Sequence, residues 1–372
     1  MKVAIVHDWL TTWAGAEKAL AELLACYPQA EIFTIVNFLP KGKIPCLAGR
    51  TIHTSFIQKL PGAQKHYRRY LPLMPLAVEQ FDLKGFDLII SSSHAVAKGV
   101  ISDPEAVHVC YCFSPMRYAW DMQHQYLRQS GNVRGPISWL MRWQLHRLRQ
   151  WDYISAQRVD HFVAISHYIK RRIETFYRRK ADVIYPPVEV DKFRYDRPRE
   201  NFYLTASRMV PYKRIDLIIE AFNKMPDKQL IVIGDGPDFT KFRALAGPNV
   251  SLMGYQSDQV LIDHLERTQA FLFMAEEDFG ILPVEAQAAG APVIGYGVGG
   301  IAETTLNNIT GLWVEEQTSH GLINQIQQFE TIRKVDLNAF SPTRCRQNAE
   351  RFATEHFKLA IQTLVKKHLS AN

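Results

Sequence analysis

Several features that would assign this chain to other classes of protein are absent from its sequence. Its 372 residues include no apolar run of about 18 residues, the length that a membrane-spanning helix requires. The N-terminal segment MKVAIVHDWL has a charged His–Asp pair where a secretory signal peptide would be apolar. Low-complexity tracts are absent as well. We therefore expect a folded protein that stays in the cytoplasm.

Cysteine is scarce and irregularly placed. The five cysteines form no C-x-x-C pair, so the sequence predicts no disulfide framework. Cys110 and Cys112 alternate in the strand-like run VHVCYCF, where they would share one face as small buried residues. A zinc site would need a turn between them and two further ligands.

Sequence motifs of several functional classes are also missing. No D-x-D occurs, so the usual carboxylate pair for a divalent metal is not present. No G-x-S-x-G occurs, which argues against a serine hydrolase. Helix-turn-helix, zinc-finger and RNP-like signatures are absent too, and we expect no nucleic-acid partner.

The length and the pattern of apolar residues predict two α/β domains. The chain is too long for one ordinary core, and 47% of its residues are hydrophobic. Short β-branched runs alternate with helical stretches in both halves, which predicts parallel sheets with right-handed crossovers. The proline-rich, charged segment Tyr185–Asn201 separates the two series. We expect a first domain over 1–190, a second over 191–349, and a C-terminal helix over 350–372 that crosses back onto the first.

The net charge of +7 is concentrated in the first half of the chain. Residues 1–195 hold 26 Lys and Arg against 16 Asp and Glu, whereas the remainder holds 18 against 21. The basic runs, and the tryptophans interleaved with the second of them, are 66–69, 142–149, 170–180, Trp139, Trp143 and Trp151. Two interpretations are open: peripheral contact with a membrane, or a solvated helix face whose tryptophans pack inward.

The second half carries cations at the ends of predicted strands, where ligands bind in open α/β sheets. Arg208 follows the strand over 202–206, and Lys213 lies where a helix is predicted to begin after Pro211. Two cations at a helix N-terminus suit a diphosphate, although they could also be ordinary surface residues. Gly234 opens a tight GDGP turn that lets backbone approach a ligand.

Two carboxylates follow the candidate strand over 270–274. Glu277 falls in the loop after the strand over 270–274, and Glu285 lies in the first turns of a helix that Pro283 can start. They are expected at one sheet edge in different environments. Gly299 and Gly300 precede a further helix, which predicts a second anion site.

Together with the N-terminal loop Ala14–Glu17, these residues resemble the GT-B glycosyltransferases of family 4. The stretches Ser91–Val100 and Tyr111–Met122 are similar to a bacterial branch that acts on surface polysaccharides, where mannosyltransferases using GDP-mannose are prominent. The resemblance implies two Rossmann-like domains facing across a cleft. It implies a metal-independent transfer without any cofactor, with retention of the anomeric configuration, of a sugar from a nucleotide-sugar. Mannose from GDP-mannose is the first expectation, and the acceptor is a lipid-linked saccharide or oligosaccharide at the inner membrane face.

The resemblance also implies residue roles. Arg208 and Lys213 would hold the diphosphate, Glu285 the ribose hydroxyls, and Glu277 the transferred sugar. The implied donor-binding residues are Gly15, Gly234, Gly254, Tyr255, Phe279, Gly280, Ile281, Glu285, Gly299 and Gly300, with the nucleobase near Met253–Tyr255. The residues expected to face the acceptor are Arg117, Tyr118, Trp120 and Asp121.

The chain departs from the family pattern at two positions. Ala14 stands where the family usually has glycine, and alanine fits there only if its φ is negative. Phe113 stands where relatives commonly have a histidine that helps at the reacting sugar. Phenylalanine donates no hydrogen bond, so His94 is the candidate replacement, unless backbone contacts suffice or the donor sugar differs.

Three other functions remain as alternatives. A UDP-sugar-dependent transferase would have the same fold. A dehydrogenase would use Gly295-x-Gly297-x-x-Gly300 with Glu315 or Glu316 at the ribose, although nothing nearby offers a hydride-transfer acid or base. A non-enzymatic protein could bind polyanions through the basic first half.

Overall fold

A computed structural model describes residues 1–40, 42, 44–129, 134–336 and 338–370. The chain forms two compact units, Met1–Tyr185 with Phe357–Asn372, and Pro186–His356. Each unit contains one parallel β-sheet with helices in the connections. The prediction of two Rossmann-like α/β domains is therefore confirmed.

The first unit has a seven-stranded sheet in the order β3-β2-β1-β4-β5-β6-β7. Its strands are β1 (Val3–His7), β2 (Glu31–Thr34), β3 (Ile52–Thr54), β4 (Leu88–Ser93), β5 (Val107–Cys112), β6 (His161–Ala164) and β7 (Ala181–Val183). Every residue of β1, β4 and β5 is buried, because helices cover both faces of a parallel sheet. Cys110 and Cys112 are both buried and unpaired in β5.

The second unit has a six-stranded sheet in the order β10-β9-β8-β11-β12-β13. Its strands are β8 (Tyr203–Ala206), β9 (Leu230–Ile233), β10 (Val250–Gly254), β11 (Phe271–Phe273), β12 (Val293–Tyr296) and β13 (Gly311–Val314). Its core joins helix residues such as Ile218 and Phe222 to strand residues such as Leu230 and Leu272.

Fourteen α-helices lie in the described part of the chain. They are α1 (Gly15–Cys26), α2 (Ala63–His66), α3 (Met74–Glu79), α4 (Gln123–Gln129), α5 (Pro136–Ala156), α6 (His167–Tyr177), α7 (Ile215–Asn223), α8 (Phe239–Leu245), α9 (Asp258–Arg267), α10 (Ile281–Ala288), α11 (Ile301–Thr304), α12 (Ser319–Val335), α13 (Pro342–Glu350) and α14 (Thr354–Leu369).

The C-terminal part of the chain ends in helix α14, which lies within the predicted helical range 350–372. One helix ends at Glu350, α14 begins at Thr354, and residues 371 and 372 lie outside the described residues. From Phe357 onward α14 groups with the first unit. Phe357 meets the ring of Tyr111 edge-on at 5.4 Å, and the Lys358 ammonium lies 3.2 Å from a Glu22 carboxylate oxygen.

Each sheet has one point at which the strand order reverses. In the first unit it lies between β1 and β4, which pair in parallel with His7 opposite Ser92. In the second unit it lies between β8 and β11, where Phe271 pairs with Leu204. Loops that leave the carboxyl ends of these strands form the usual ligand crevice of open α/β sheets.

Candidate functional site

At the second unit's reversal point, two oppositely charged side chains meet. Lys213 lies in a 3₁₀ turn, Pro211–Lys213, in the connection that follows β8, and Glu277 lies in the loop that follows β11. The Lys213 ammonium donates a hydrogen bond to Glu277 Oε1. The side chains are 13% and 20% exposed, so solvent screens this ion pair only in part.

Arg208 differs from Lys213 in its surroundings. It lies two residues beyond the end of β8 and is exposed. Its guanidinium makes no ion pair or hydrogen bond within the described residues. The predicted helix start at Lys213 is wrong, because Arg214 adopts a left-handed conformation (φ 53°) and α7 begins only at Ile215.

Glu285 has a different environment from Glu277. It is the fifth residue of α10, which begins at Ile281, two residues before the predicted start at Pro283. Glu285 is buried at 6% exposure, and the Lys192 ammonium lies 3.8 Å from its Oε1. Sequence reasoning missed Lys192, because it lies in the charged segment that was interpreted only as a boundary.

The two glycines after β12 are explained by contact between loops. Gly299 has φ +79°, and a Cβ there would lie 2.3 Å from the Glu277 carbonyl oxygen. A Cβ on Gly300 would lie 2.2 Å from the Cα of Phe279, and the Gly300 amide donates to the Glu277 carbonyl at 2.7 Å. The following helix, α11, is a single turn, so its dipole makes a weaker anion site than the sequence predicted. The glycines support the loop that carries Glu277.

Backbone contact also explains Gly234. Its φ is +134°, and a Cβ there would lie 1.9 Å from the carbonyl oxygen of Ser207, so the close approach is made by this chain itself. The Gly234 amide donates to the Gly254 carbonyl at 2.8 Å. The next residue, Tyr255, is 80% exposed and leaves a large aromatic face open to solvent.

The remaining donor-binding candidates lie at the start of α10. Phe279 is buried and meets the ring of Phe352 edge-on at 5.4 Å. Gly280 precedes Ile281 with φ +85°, a conformation that favours glycine. The turn therefore links the Glu277 loop directly to the helix that carries Glu285.

The first unit's reversal point also holds an acid and a base. Asp8 follows β1, and His94 follows β4. The His94 ring nitrogen Nδ1 lies 2.9 Å from Asp8 Oδ2. Asp8 is fully buried, and its carboxylate also accepts four consecutive amides, those of 94–97, at 2.6 to 3.0 Å.

The Asp8–His94 contact shifts both groups. Burial raises the pKa of the Asp8 carboxyl, but the facing His94 ring more than offsets this and holds that pKa well below its usual range. Burial lowers the pKa of His94, but the Asp8 carboxylate more than offsets this and raises it. Sequence reasoning missed Asp8, although its position directly after the first strand was a usable signal.

The loop at Ala14 agrees with expectation. Ala14 has φ −139°, the negative value that alanine requires there. Its amide donates to Glu17 Oε2 at 2.9 Å, and α1 begins at Gly15. The Glu17 carboxylate also lies 3.7 Å from Nε2 of the buried His7.

Two of the four residues expected to face an acceptor contact other side chains of the first unit. Trp120 donates from Nε1 to Asp152 Oδ2 at 2.7 Å, and its ring stacks on Phe176 at 4.9 Å. The Asp121 carboxylate accepts hydrogen bonds from both terminal nitrogens of the Arg172 guanidinium. These contacts hold the half-buried Trp120 and the exposed Asp121 in place, and the prediction that they face an acceptor stays a prediction.

The other two acceptor-side candidates, Arg117 and Tyr118, are half-buried. The Tyr118 hydroxyl is buried and has no hydrogen-bond partner among the described residues. Phe113, which follows β5, donates its amide to the Ser93 carbonyl at 2.8 Å and packs edge-on against Tyr111 at 5.3 Å. Phe113 and His94 thus follow neighbouring strands of the sheet.

The described part of the chain offers no cluster of metal ligands and no helix that could span a membrane. Across 1–40, 42, 44–129, 134–336 and 338–370, no group of three or more His, Cys, Asp or Glu side chains is arranged to hold a metal ion. None of the helices in those ranges combines the length and the apolar character that crossing a membrane requires.

Two family models match consecutive parts of the chain. Residues 13–192 match Glycosyltransferase Family 4, and residues 188–352 match Glycosyl transferases group 1. An uncharacterized glycosyltransferase of Methanocaldococcus jannaschii is 26% identical over 208 residues, which are 55% of this chain and 58% of that protein.

A second curated relative comes from Corynebacterium glutamicum. This GDP-mannose-dependent monoacylated alpha-(1-6)-phosphatidylinositol monomannoside mannosyltransferase is 31% identical over 188 residues, 42% of this chain and 49% of that protein. The chain spans about half the length of the curated relatives it matches.

Among solved structures, HepE of Anabaena in complex with UDP and glucose shares the fold. Its TM-score is 0.71 at 16% identity, and the match covers 98% of this chain and 99% of that one. The two family matches run together from residue 13 to residue 352 and agree with two parallel-sheet units. The chain belongs to the glycosyltransferases of the GT-B type.

Proposed function

We propose that this protein transfers a sugar from a nucleotide-sugar donor and retains the configuration at the anomeric carbon. The observation that most strongly supports a nucleotide-sugar donor is the contact between Lys213 and Glu277, on the same sheet edge as the exposed Arg208. A sugar diphosphate presents anionic oxygens beside hydroxyl groups. It therefore requires cations for the first and a hydrogen-bond acceptor for the second, and these residues offer both.

The two cations are assigned to the diphosphate. Arg208 is exposed and free to form a bidentate contact with phosphate oxygens, which its planar guanidinium suits. Lys213 is held near the sheet edge by Glu277 and supplies a second, more buried charge. Fixed cations stabilise the negative charge that grows on the leaving nucleotide, the role that a divalent metal has in other transferases. The proposed reaction is therefore metal-independent.

The two carboxylates are assigned to hydroxyl groups. Glu277 accepts hydrogen bonds from the hydroxyl groups of the transferred sugar. The backbone of the same turn, at Phe279 and Gly280, contacts that sugar as well. Glu285 accepts hydrogen bonds from the ribose hydroxyls, beside the Lys192 ammonium 3.8 Å from its Oε1. Tyr255 is assigned to the nucleobase, since its exposed ring offers a stacking surface.

GDP-mannose is proposed as the donor because the Corynebacterium glutamicum relative is named as GDP-mannose-dependent. A UDP-sugar is the alternative, because the Anabaena structure contains UDP. The deciding experiment is binding of GDP and UDP by calorimetry and thermal shift. A rise in melting temperature with one nucleotide supports the proposal and selects the base. If neither nucleotide binds while an oligonucleotide binds with steep salt dependence, the protein is a polyanion binder instead.

The acceptor is proposed to be a lipid-linked saccharide reached at the inner face of the membrane. The N-terminal turns of α5 expose Trp139, Leu140 and Trp143, which are 70%, 48% and 50% exposed. The guanidinium of Arg147 lies 6.0 Å from the ring of Trp143. Tryptophan and arginine on one exposed helix face suit the boundary between anionic headgroups and acyl chains.

Vesicle binding tests the membrane assignment. The protein is expected to sediment with phosphatidylglycerol vesicles and not with phosphatidylcholine vesicles, and Trp143→Gln should weaken this binding without lowering the melting temperature. Val335→Gln is the matched control, because Val335 is 86% exposed on α12 of the other unit. Equal loss of binding in both variants, or no binding by the wild type, refutes the assignment.

A further inference from the structure

Asp8 is a buried acid at the reversal point of the first sheet, and the roles proposed so far do not use it. We propose that Asp8 is a positioning residue that holds the His94 ring so that its Nε2 donates a hydrogen bond to a phosphate oxygen of the substrate. This proposal rests on the proposed function, since a nucleotide-sugar and a lipid-linked acceptor both carry phosphate.

The hydrogen bonds of Asp8 determine which His94 nitrogen is available. Oδ2 of Asp8 lies 2.9 Å from Nδ1 of the ring and accepts the His94 amide at 2.6 Å. Because an ionised carboxylate only accepts, Nδ1 must carry a hydrogen. Nε2 is then the ring nitrogen left for a ligand.

The backbone around His94 is held by the same carboxylate. Oδ1 accepts the amides of Val96 and Ala97 at 2.6 and 2.7 Å, and Oδ2 also accepts that of Ala95 at 3.0 Å. One buried side chain therefore fixes both the turn after β4 and the ring that projects from it. A group fixed in this way loses little entropy when it binds a ligand.

The rest of the surroundings leave part of the ring accessible. Trp9 packs edge-on against the ring, with centroids 4.6 Å apart, and the His94 side chain is 32% exposed. The charged groups that face it are Asp8 after β1, Glu17 on α1 and Arg68 from the 3₁₀ segment Tyr67–Leu73. Both carboxylates favour the imidazolium, and Arg68 opposes it.

A protonated His94 suits phosphate chemistry at this position. With both ring nitrogens carrying hydrogen, the side chain is a fixed cation whose Nε2–H can bind an anionic oxygen. No proton needs to move for this contact, and no covalent step is involved. Phe113, at the end of the adjacent strand, has no polar side-chain atom with which to make the same contact. The hydrogen-bond donor to phosphate therefore follows β4 and not β5.

Nitrogen-detected NMR of histidine-labelled protein tests the positioning directly and needs no turnover. The His94 resonances are assigned by their loss in His94→Gln. The wild-type ring should titrate above the usual value of about 6.5, and the Asp8→Asn ring should titrate lower. A His94 that titrates at or below the usual value overturns the proposal, as does an unchanged titration in a folded Asp8→Asn protein.

The source of the phosphate is identified in the same experiment. GDP and UDP represent the donor, and farnesyl phosphate in detergent micelles represents a lipid-linked acceptor. A change in the Nε2 signal with a nucleotide assigns the contact to the donor, and a change with farnesyl phosphate assigns it to the acceptor. No change with any of the three probes overturns the ligand contact.

Activity gives an independent readout. His94→Gln should lower kcat by about 10²-fold with little change in donor KM, and it should remove the decline in rate as pH rises through the His94 pKa. Asp8→Asn should move that decline to lower pH. His53→Gln is the matched control, because His53 lies 2.8 Å from the Glu31 carboxylate on the same sheet and away from the reversal point.

The controls keep three outcomes apart. If Asp8→Asn does not fold, His94→Gln still tests the phosphate contact, because in the His94→Gln protein Asp8 keeps its hydrogen bonds to the backbone amides. An unchanged pH profile in His94→Gln contradicts the proposal. If the wild type turns over no nucleotide-sugar, the proposed function fails, while the NMR titration still reports on Asp8 and His94.

Discussion

The Lys213 ammonium is bonded to the Glu277 carboxylate across the point where the strand order of the second sheet reverses. Their proposed ligands are different, since Lys213 is assigned to the diphosphate and Glu277 to the sugar. In the protein without ligand each therefore neutralises the other. When the nucleotide-sugar binds, Lys213 must contact its diphosphate and Glu277 its sugar. Phosphate binding and sugar recognition are therefore linked through this ion pair.

Glu277→Gln should separate these two functions. Removal of the carboxylate releases Lys213 and removes a negative charge near the diphosphate, so GDP or UDP should bind as tightly as before or up to about tenfold more tightly. Transfer should fall by at least about 10²-fold, because the sugar loses its acceptor. Calorimetry and initial rates measure the two effects. A parallel loss of nucleotide affinity and turnover would contradict the assignment.

Arg208→Ala should weaken nucleotide binding and turnover together. The guanidinium has no partner in the described part of the chain, so its loss should leave the fold intact and remove only a ligand contact of about 1 to 3 kcal/mol. Arg344→Ala is the matched control, because Arg344 is also exposed in the second unit. Equal behaviour of the two variants in calorimetry would remove Arg208 from the site.

Gly300→Ala should destabilise the second unit. The added Cβ would lie 2.2 Å from the Cα of Phe279, so the backbone of one loop must move. We expect a loss of about 1 to 3 kcal/mol in the free energy of unfolding, together with lower turnover, because the Glu277 loop shifts. Gly85→Ala gives the comparison: it has open space and a φ of +75°, so backbone strain alone should cost about 1 to 2 kcal/mol. Urea unfolding measures both costs, and turnover separates the two variants, because it should be unchanged in the Gly85 variant.

The Asp8–His94 pair predicts a pH window of stability. Asp8 has a lowered pKa, so its contribution is present above the ordinary aspartate value and is lost as pH falls. His94 has a raised pKa, so its contribution is present below the ordinary histidine value and is lost as pH rises through the raised one. The difference in unfolding free energy between wild type and His94→Gln should be largest between about pH 4 and pH 6.5. Denaturant titrations across pH measure it, and a difference that grows toward alkaline pH would refute the pairing.

The fold could be predicted from the sequence because its signals are local. Short apolar runs such as Val3–Val6 and Leu88–Ile90 predict buried parallel strands, and the alternation of strands and helices indicates the α/β class. The same reasoning places Arg208 and Glu277 at strand ends. What it misses are pairings between distant residues, since Asp8 lies 86 positions from His94 and Lys213 lies 64 from Glu277.

Residue type alone also does not show which contacts hold several of the predicted site residues. The Trp120 indole and the Asp121 carboxylate suit a sugar acceptor, and each also contacts a side chain distant in sequence, Asp152 and Arg172 respectively. Gly300 was interpreted as part of a phosphate site, whereas the crowding that requires glycine comes from the Phe279 backbone. Such contacts depend on tertiary packing, which periodicity does not encode.

We propose that fixed cations of the second unit, Arg208 and Lys213, receive the departing nucleotide in place of a metal ion. The most direct test is turnover of GDP-mannose, UDP-glucose, UDP-galactose and UDP-N-acetylglucosamine in the presence of EDTA, with hydrolysis and transfer both recorded. If these cations replace a metal ion, one donor should be consumed at the same rate with and without the chelator. Loss of that activity in EDTA, followed by recovery when a divalent metal is added, would contradict it.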